Sequence, residues 1–236
     1  MARPSDEPGP APGTHARAGR GLSVLLLRHA WALERAQWEG ADRQRPLSGR
    51  GLAQAQALPG HLDALGVLPV MLVATPTERS AATLGPLARS RGLPIHEDER
   101  FTDVPAPLRC DDGWGRAAWL AVRAMAGLDQ AVQRAVSIVV EPRGRGNDGR
   151  TDRTVGPDTG GSDREERAVV VCSHGETLPA LLAGLGARDG WRLERGPDVS
   201  RKAMPKGGGW LLSPASDRVV VIEAPVIPET TDPGGV

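Results

Sequence analysis

Apolar residues in this chain gather into short runs, and each run stops at a polar, proline-rich or glycine-rich stretch. Val24-Leu25-Leu26-Leu27 has no polar member and reads as a buried strand over about 22–28. Val70 to Ala74 predicts a second strand, Leu93-Pro94-Ile95-His96 a short third, and Ala168-Val169-Val170-Val171-Cys172 a fourth over 168–173. Helical spacing fills the gaps. One helix follows Ser48, a plausible N-cap preceded by Pro46, and extends to about Leu65, with Pro59 expected to kink or split it. A second takes Pro76 into its first turn and runs to about Arg91. A longer one covers 114–138, with Trp119, Leu120, Val122, Met125 and Leu128 on repeating faces, and a fourth covers 176–186. Gly209 to Leu212 and Arg218 to Ile222 alternate about a polar turn and predict a hairpin. Strands alternating with helices give an α/β fold, a three-layer α/β/α sandwich around a mostly parallel sheet.

The polar stretches set the domain organisation. Residues 1–20 offer almost nothing to bury, and 141–167 contain no apolar residue except Val155. Both are expected to be disordered, the second as an insertion inside a single domain spanning 21–225, with a loose tail over 226–236. The 236 residues suit one sizeable domain.

Charge narrows the partners. The 29 basic and 29 acidic residues cancel, which argues against nonspecific attraction to nucleic acid or a membrane surface. With no signal-peptide pattern and no run long enough to span a bilayer, the expected location is the cytoplasm. Cys110 and Cys172 make no disulfide framework, and Cys172 reads as a small buried residue. No Cys/His spacing fits zinc and no dinucleotide fingerprint follows a strand, so neither a metal nor a cofactor is expected.

The candidate chemistry lies where the strands stop. The first strand delivers Arg28-His29-Ala30 and the fourth delivers Ser173-His174-Gly175-Glu176. In open α/β sheets ligands bind beyond the carboxyl ends of strands, so both histidines fall where chemistry is expected. A neutral imidazole is a competent nucleophile toward phosphorus, and Arg28 beside it suits phosphoryl oxygens. Arg79, in Thr75-Pro76-Thr77-Glu78-Arg79, sits just inside a helix leaving a strand end, where anions are favoured. His15, His61 and His96 lack such a context, and Glu176 reads as a first-turn acid of its helix.

The Arg28-His29 pair after an apolar strand, the Arg79 segment and the late Ser173-His174-Gly175 resemble the histidine phosphatase superfamily, the phosphoglycerate mutase-like clan. Within it the chain looks most like the small phosphohistidine-phosphatase-type branch, and is also similar to the phosphatase-like domain following some bacterial Nudix hydrolase domains. The resemblance covers about 22–104 and 168–222.

It implies a phosphoglycerate mutase-like fold and a cofactor-independent phosphatase of histidine acid phosphatase type. His29 would form a covalent phosphohistidine, and Arg28, Arg79 and His174 would cradle the phosphate. Arg45, in Asp42-Arg43-Gln44-Arg45-Pro46-Leu47, either lines the pocket or pairs with an acid. A proton donor maps to Asp103, which reads equally as a loop carboxylate clustered with Glu97, Asp98 and Glu99. The implied substrates are a small phosphorylated molecule, a nucleotide or a phosphohistidine protein. Ala30 stands where a glycine is usual, and Trp31 where a charge is common. A competing expectation is a phosphate-binding or regulatory module of the same fold without turnover.

Overall fold

The computed structural model describes residues 22–102, 113–140, 165–189, 204–213 and 218–227. In chain order the elements are β1 (Ser23–Arg28), α1 (Gly49–Ala64), β2 (Val67–Ala74), α2 (Glu78–Arg91), β3 (Ile95–Glu97), α3 (Gly113–Val140), β4 (Glu166–Ser173), α4 (Thr177–Asp189), β5 (Gly209–Ser213) and β6 (Arg218–Ile222). Single 3-10 turns lie at Arg35–Gln37, Asp42–Gln44 and Glu99–Phe101.

The six strands form one sheet in the order β3-β2-β4-β1-β5-β6. β3, β2, β4 and β1 pair in parallel, while β5 pairs antiparallel with both β1 and β6.

The pleat explains the layers. Leu25 and Leu27 point into one core with Leu58 and Leu62 of α1 and Leu84 and Leu87 of α2. Val24 and Leu26 point the other way, into a core with Leu128 of α3 and Leu178, Leu181 and Leu182 of α4. Successive strand side chains face opposite sides, so an unbroken apolar run is what a strand covered by helices on both faces requires. This is the three-layer α/β/α sandwich. Burying one such leucine contributes roughly 1.5–3 kcal/mol, and Leu25, Leu26 and Leu27 are all fully buried. Cys172 is buried too, which pushes its thiol up to about 12.

Several boundaries differ from the sequence expectation. α1 continues unbroken through Pro59. The ring removes one backbone donor, but Leu58 and Leu62 on either side are buried and hold the helix to the sheet. Pro76 lies ahead of α2, whose N-cap is Thr77. β2 begins at Val67 and accommodates Pro69 at a register shift between Pro69 and Met71, where the missing N–H interrupts the ladder. β3 spans 95–97 and α4 spans 177–189. β4 starts at Glu166, so the last two residues of the polar stretch read as 141–167 belong to a strand. Ser48 does cap α1, its hydroxyl accepting from the Gly51 N–H at 3.2 Å. Residues 1–20 and most of 141–167 lie outside the described residues. Among the described residues no helix is long and apolar enough to cross a membrane.

Candidate active site

Three adjacent parallel strands stop at the same level and place their next residues side by side. Arg28 of β1 is in register with Ser173 of β4, and Ala74 of β2 with Cys172 of β4. The chain continues these pairings one step further, with His29 N–H donating to the Ser173 carbonyl at 3.0 Å and Thr75 N–H to the Cys172 carbonyl at 3.1 Å. His29, His174 and Thr75 are thereby fixed by backbone bonds before any side chain is considered. The imidazole centroids of His29 and His174 lie 5.3 Å apart, edge to face at 67°.

His29 Nδ1 lies 2.7 Å from the Ala30 carbonyl oxygen. A carbonyl can only accept, so Nδ1 carries the proton and Nε2 of the neutral ring keeps its lone pair. The ring is held neutral. Burial is the main cause, followed by the neighbouring His174 ring, beside which a second positive charge is disfavoured; the Ala30 bond opposes them, and Arg79 and Arg28 add to the lowering. The result lies well below the ordinary value of 6.5.

His174 has the complementary arrangement. Arg79 Nη2 donates toward its Nδ1 at 3.5 Å, and a guanidinium cannot accept. Its Nε2 therefore holds the proton and donates to the Thr75 hydroxyl at 3.2 Å. The Thr75 hydroxyl in turn donates to Ser80 Oγ at 2.8 Å. The chain Arg79–His174–Thr75–Ser80 is a buried polar network at the start of α2.

Arg79 is anchored by the loop after β1. Its Nη1 donates to the Asp42 carbonyl at 2.6 Å and its Nη2 to Asp42 Oδ2 at 3.0 Å. Asp42 Oδ1 accepts from Arg45 Nε at 3.0 Å, and Arg45 also donates to the Leu33 carbonyl at 2.6 Å. Burial raises the Asp42 carboxyl, but Arg79 and Arg45 outweigh it and the net shift is downward. Arg45 is thus paired with an acid.

Arg28 completes the cluster. Its Nη1 donates to the Met204 carbonyl at 2.7 Å. Its guanidinium lies over Gly175, where a Cβ would meet Arg28 Cζ and Nε at 2.9 Å. The loop before β5 closes over the same backbone, with Gly207 N–H donating to the Arg28 and His29 carbonyls, each at 3.2 Å. Gly207 does so at φ 84°, a conformation suited to glycine.

Residues 24–106 match the model of the histidine phosphatase superfamily (branch 1). Over that stretch the chain is similar to the histidine phosphatase superfamily. Over 81 residues it is 40% identical to the 8-oxo-(d)GTP phosphatase of Mycolicibacterium smegmatis, a match taking in 34% of this chain. That match spans 24% of the length of the curated relative. The structure is similar to a mycobacterial glucosyl-3-phosphoglycerate phosphatase complexed with VO3, at TM-score 0.53 and 19% identity over 86% of this chain and 98% of that one. It is equally similar to Bacillus stearothermophilus YhfR, at TM-score 0.53 and 16% identity over 87% and 98%. At these identities the likeness establishes the fold.

Of the residues assigned to the histidine phosphatase site from sequence, Arg28, His29, Arg79 and His174 come together at the strand ends, with Arg45 attached through Asp42. Asp103 lies outside the described residues. His61 Nε2 lies 2.9 Å from the Glu223 carbonyl oxygen, and His96 lies in β3 beside Asp98 and Arg100. Sequence reasoning passed over Thr75, Asp42 and Lys206. Thr75 carried a usable signal, since it follows the β2 run as His29 follows β1. Asp42 and Lys206 sit in loops without a period, where only the folded chain shows the neighbours.

Proposed function

We propose that the chain is a cofactor-independent phosphatase that hydrolyses a phosphate monoester or a phosphohistidine through a covalent intermediate on His29. The observation carrying this reading is the Nδ1 contact of His29 to Ala30, which leaves Nε2 as the lone-pair nitrogen of a buried neutral ring. In the first step Nε2 attacks phosphorus, a P–N bond forms, and the bond from phosphorus to the leaving group breaks. A proton donor serves an alkoxide leaving group, and Asp103 is our candidate for it. In the second step water attacks phosphorus, the P–N bond breaks, inorganic phosphate leaves and Nε2 recovers its lone pair.

Arg28, Arg79 and His174 stabilise charge on the phosphoryl oxygens in both steps, the part of phosphoryl transfer that positioning and electrostatics supply. The named activity of the M. smegmatis relative makes a nucleotide one substrate class to test, beside a phosphohistidine protein and a small ester.

The test is phosphate release from an aryl phosphate, a nucleotide panel and a phosphohistidine peptide, with wild type and His29→Ala. Release that disappears in the variant supports the mechanism. A folded wild-type protein that binds vanadate yet releases no phosphate from any of them favours a non-catalytic phosphate-binding module instead.

A further inference from the structure

Two residues beyond the nucleophile, Trp31 carries two cations on its ring. The Lys206 ammonium stands 4.1 Å from the ring centroid and the Arg50 guanidinium 4.6 Å. The three side chains come from separate segments: the loop after β1, the first turn of α1 and the loop before β5. Cation–aromatic stacking holds such a group in place while leaving the charge available to a ligand.

The assembly is built into the backbone of the site. Gln54, buried on α1, accepts from the Trp31 N–H and donates to the Lys206 carbonyl, both at 3.1 Å. Gly207, the next residue, donates to the carbonyls of Arg28 and His29. Lys206 is therefore pinned one residue from the contacts that fix the nucleophile. Its ammonium is half-buried, and burial lowers its pKa first. Glu34 opposes that, and Arg28, Arg45 and Arg50 lower it further. Glu34 offers the Lys206 ammonium only an exposed contact at 3.9 Å, a weak pairing. Positive charge is thus left over beyond the Arg28, Arg79 and His174 cradle, on the Trp31 side of the nucleophile.

We propose that Lys206 and Arg50, both stacked on the Trp31 ring, form a subsite for a second anionic group, so that the substrate class is a phosphate carrying another phosphate next to it. This rests on the phosphatase reading of the same site. The transferred phosphoryl group sits in the cradle, and the neighbouring phosphate reaches Lys206 and Arg50. A lone monoester leaves the subsite unfilled.

The test compares a nucleoside triphosphate, tripolyphosphate, a phosphorylated hydroxy acid and an aryl phosphate as substrates for wild type, Lys206→Met and the Lys206→Met/Arg50→Met pair. Wild type should prefer the two polyphosphates in kcat/KM, and each removed cation should cut that preference by about tenfold, the loss of one charge-assisted contact. A preference for the hydroxy acid over the polyphosphates, or one unchanged in both variants, overturns the proposal. Calorimetric titration with pyrophosphate and orthophosphate separates the two readings. Tighter pyrophosphate binding that is lost in Lys206→Met, in a protein without turnover, supports the subsite while the catalytic reading fails. Equal binding of both anions by wild type overturns the subsite whatever the turnover.

Discussion

The Nδ1–H of His29 donates to the carbonyl of its neighbour Ala30 across 2.7 Å, and this bond decides which ring nitrogen can act. A rotated or oppositely protonated ring would present a donor to phosphorus and would be inert. His29→Ala should therefore reduce kcat by on the order of 10⁶-fold, the scale seen when a catalytic nucleophile is removed. Its thermal unfolding should stay close to wild type, since the imidazole is a minor part of the core. Steady-state kinetics with calorimetry checks both halves.

The same burial sets the pH profile. The folded ring titrates below 6.5 and the unfolded ring near it, so the His29 imidazole stays neutral in mildly acid solution. The acid limb of kcat/KM should turn down below pH 6.5, and an inflection at or above that value contradicts the assignment. The sign for stability is opposite to that of a salt-bridged histidine. As pH falls below 6.5 the unfolded chain takes up a proton that the folded chain refuses, so stability declines through that window. His29→Gln should show a shallower decline when melting temperature is followed from pH 7 downwards.

Asp42 acts through Arg79. Both nitrogens that Arg79 turns toward the loop end on Asp42, one on its carbonyl and one on its carboxylate. Asp42→Ala keeps the carbonyl contact and removes the carboxylate, leaving a buried guanidinium short of an acceptor, which costs about 1–3 kcal/mol of stability. The freed arginine is also mispositioned for phosphate. KM should rise by roughly tenfold with a smaller change in kcat, because an interaction shared by ground and transition states is weakened. A fall in kcat alone would show that Asp42 serves another purpose.

Gly175 is required by the space its neighbour occupies. A Cβ there would meet the Arg28 guanidinium carbon at 2.9 Å. The far end of a long side chain can move, so Gly175→Ala should fold. It should do so with Arg28 displaced from its Met204 contact, and kcat/KM should fall by roughly 10²-fold, as misplacement by about 1 Å does. Wild-type activity in that variant would show that Arg28 does not need its present position.

Much of this was legible from pattern. The β1 and β4 runs are apolar at every position because helices cover both faces, and such a run also marks where it ends. Arg28, His29 and His174 follow from that logic alone. Arg79 was legible because a helix leaving a strand end carried it. Pro59 misled because a local rule about helix interiors was offset by the burial of Leu58 and Leu62. Asp42 and Lys206 were not legible. Their roles depend on distances closed between segments 37 to 152 residues apart, Asp42 to Arg79 and Gln54 to Lys206, and no local period encodes such distances.

The most direct test of the account is to quench a single turnover of an aryl phosphate in alkali, where phosphohistidine survives, and to map the phosphate by mass spectrometry. The account predicts one phosphoryl group on His29, present in wild type and absent from His29→Ala. Phosphate release by wild type with the label on another residue, or with no covalent adduct at any quench time, would contradict it.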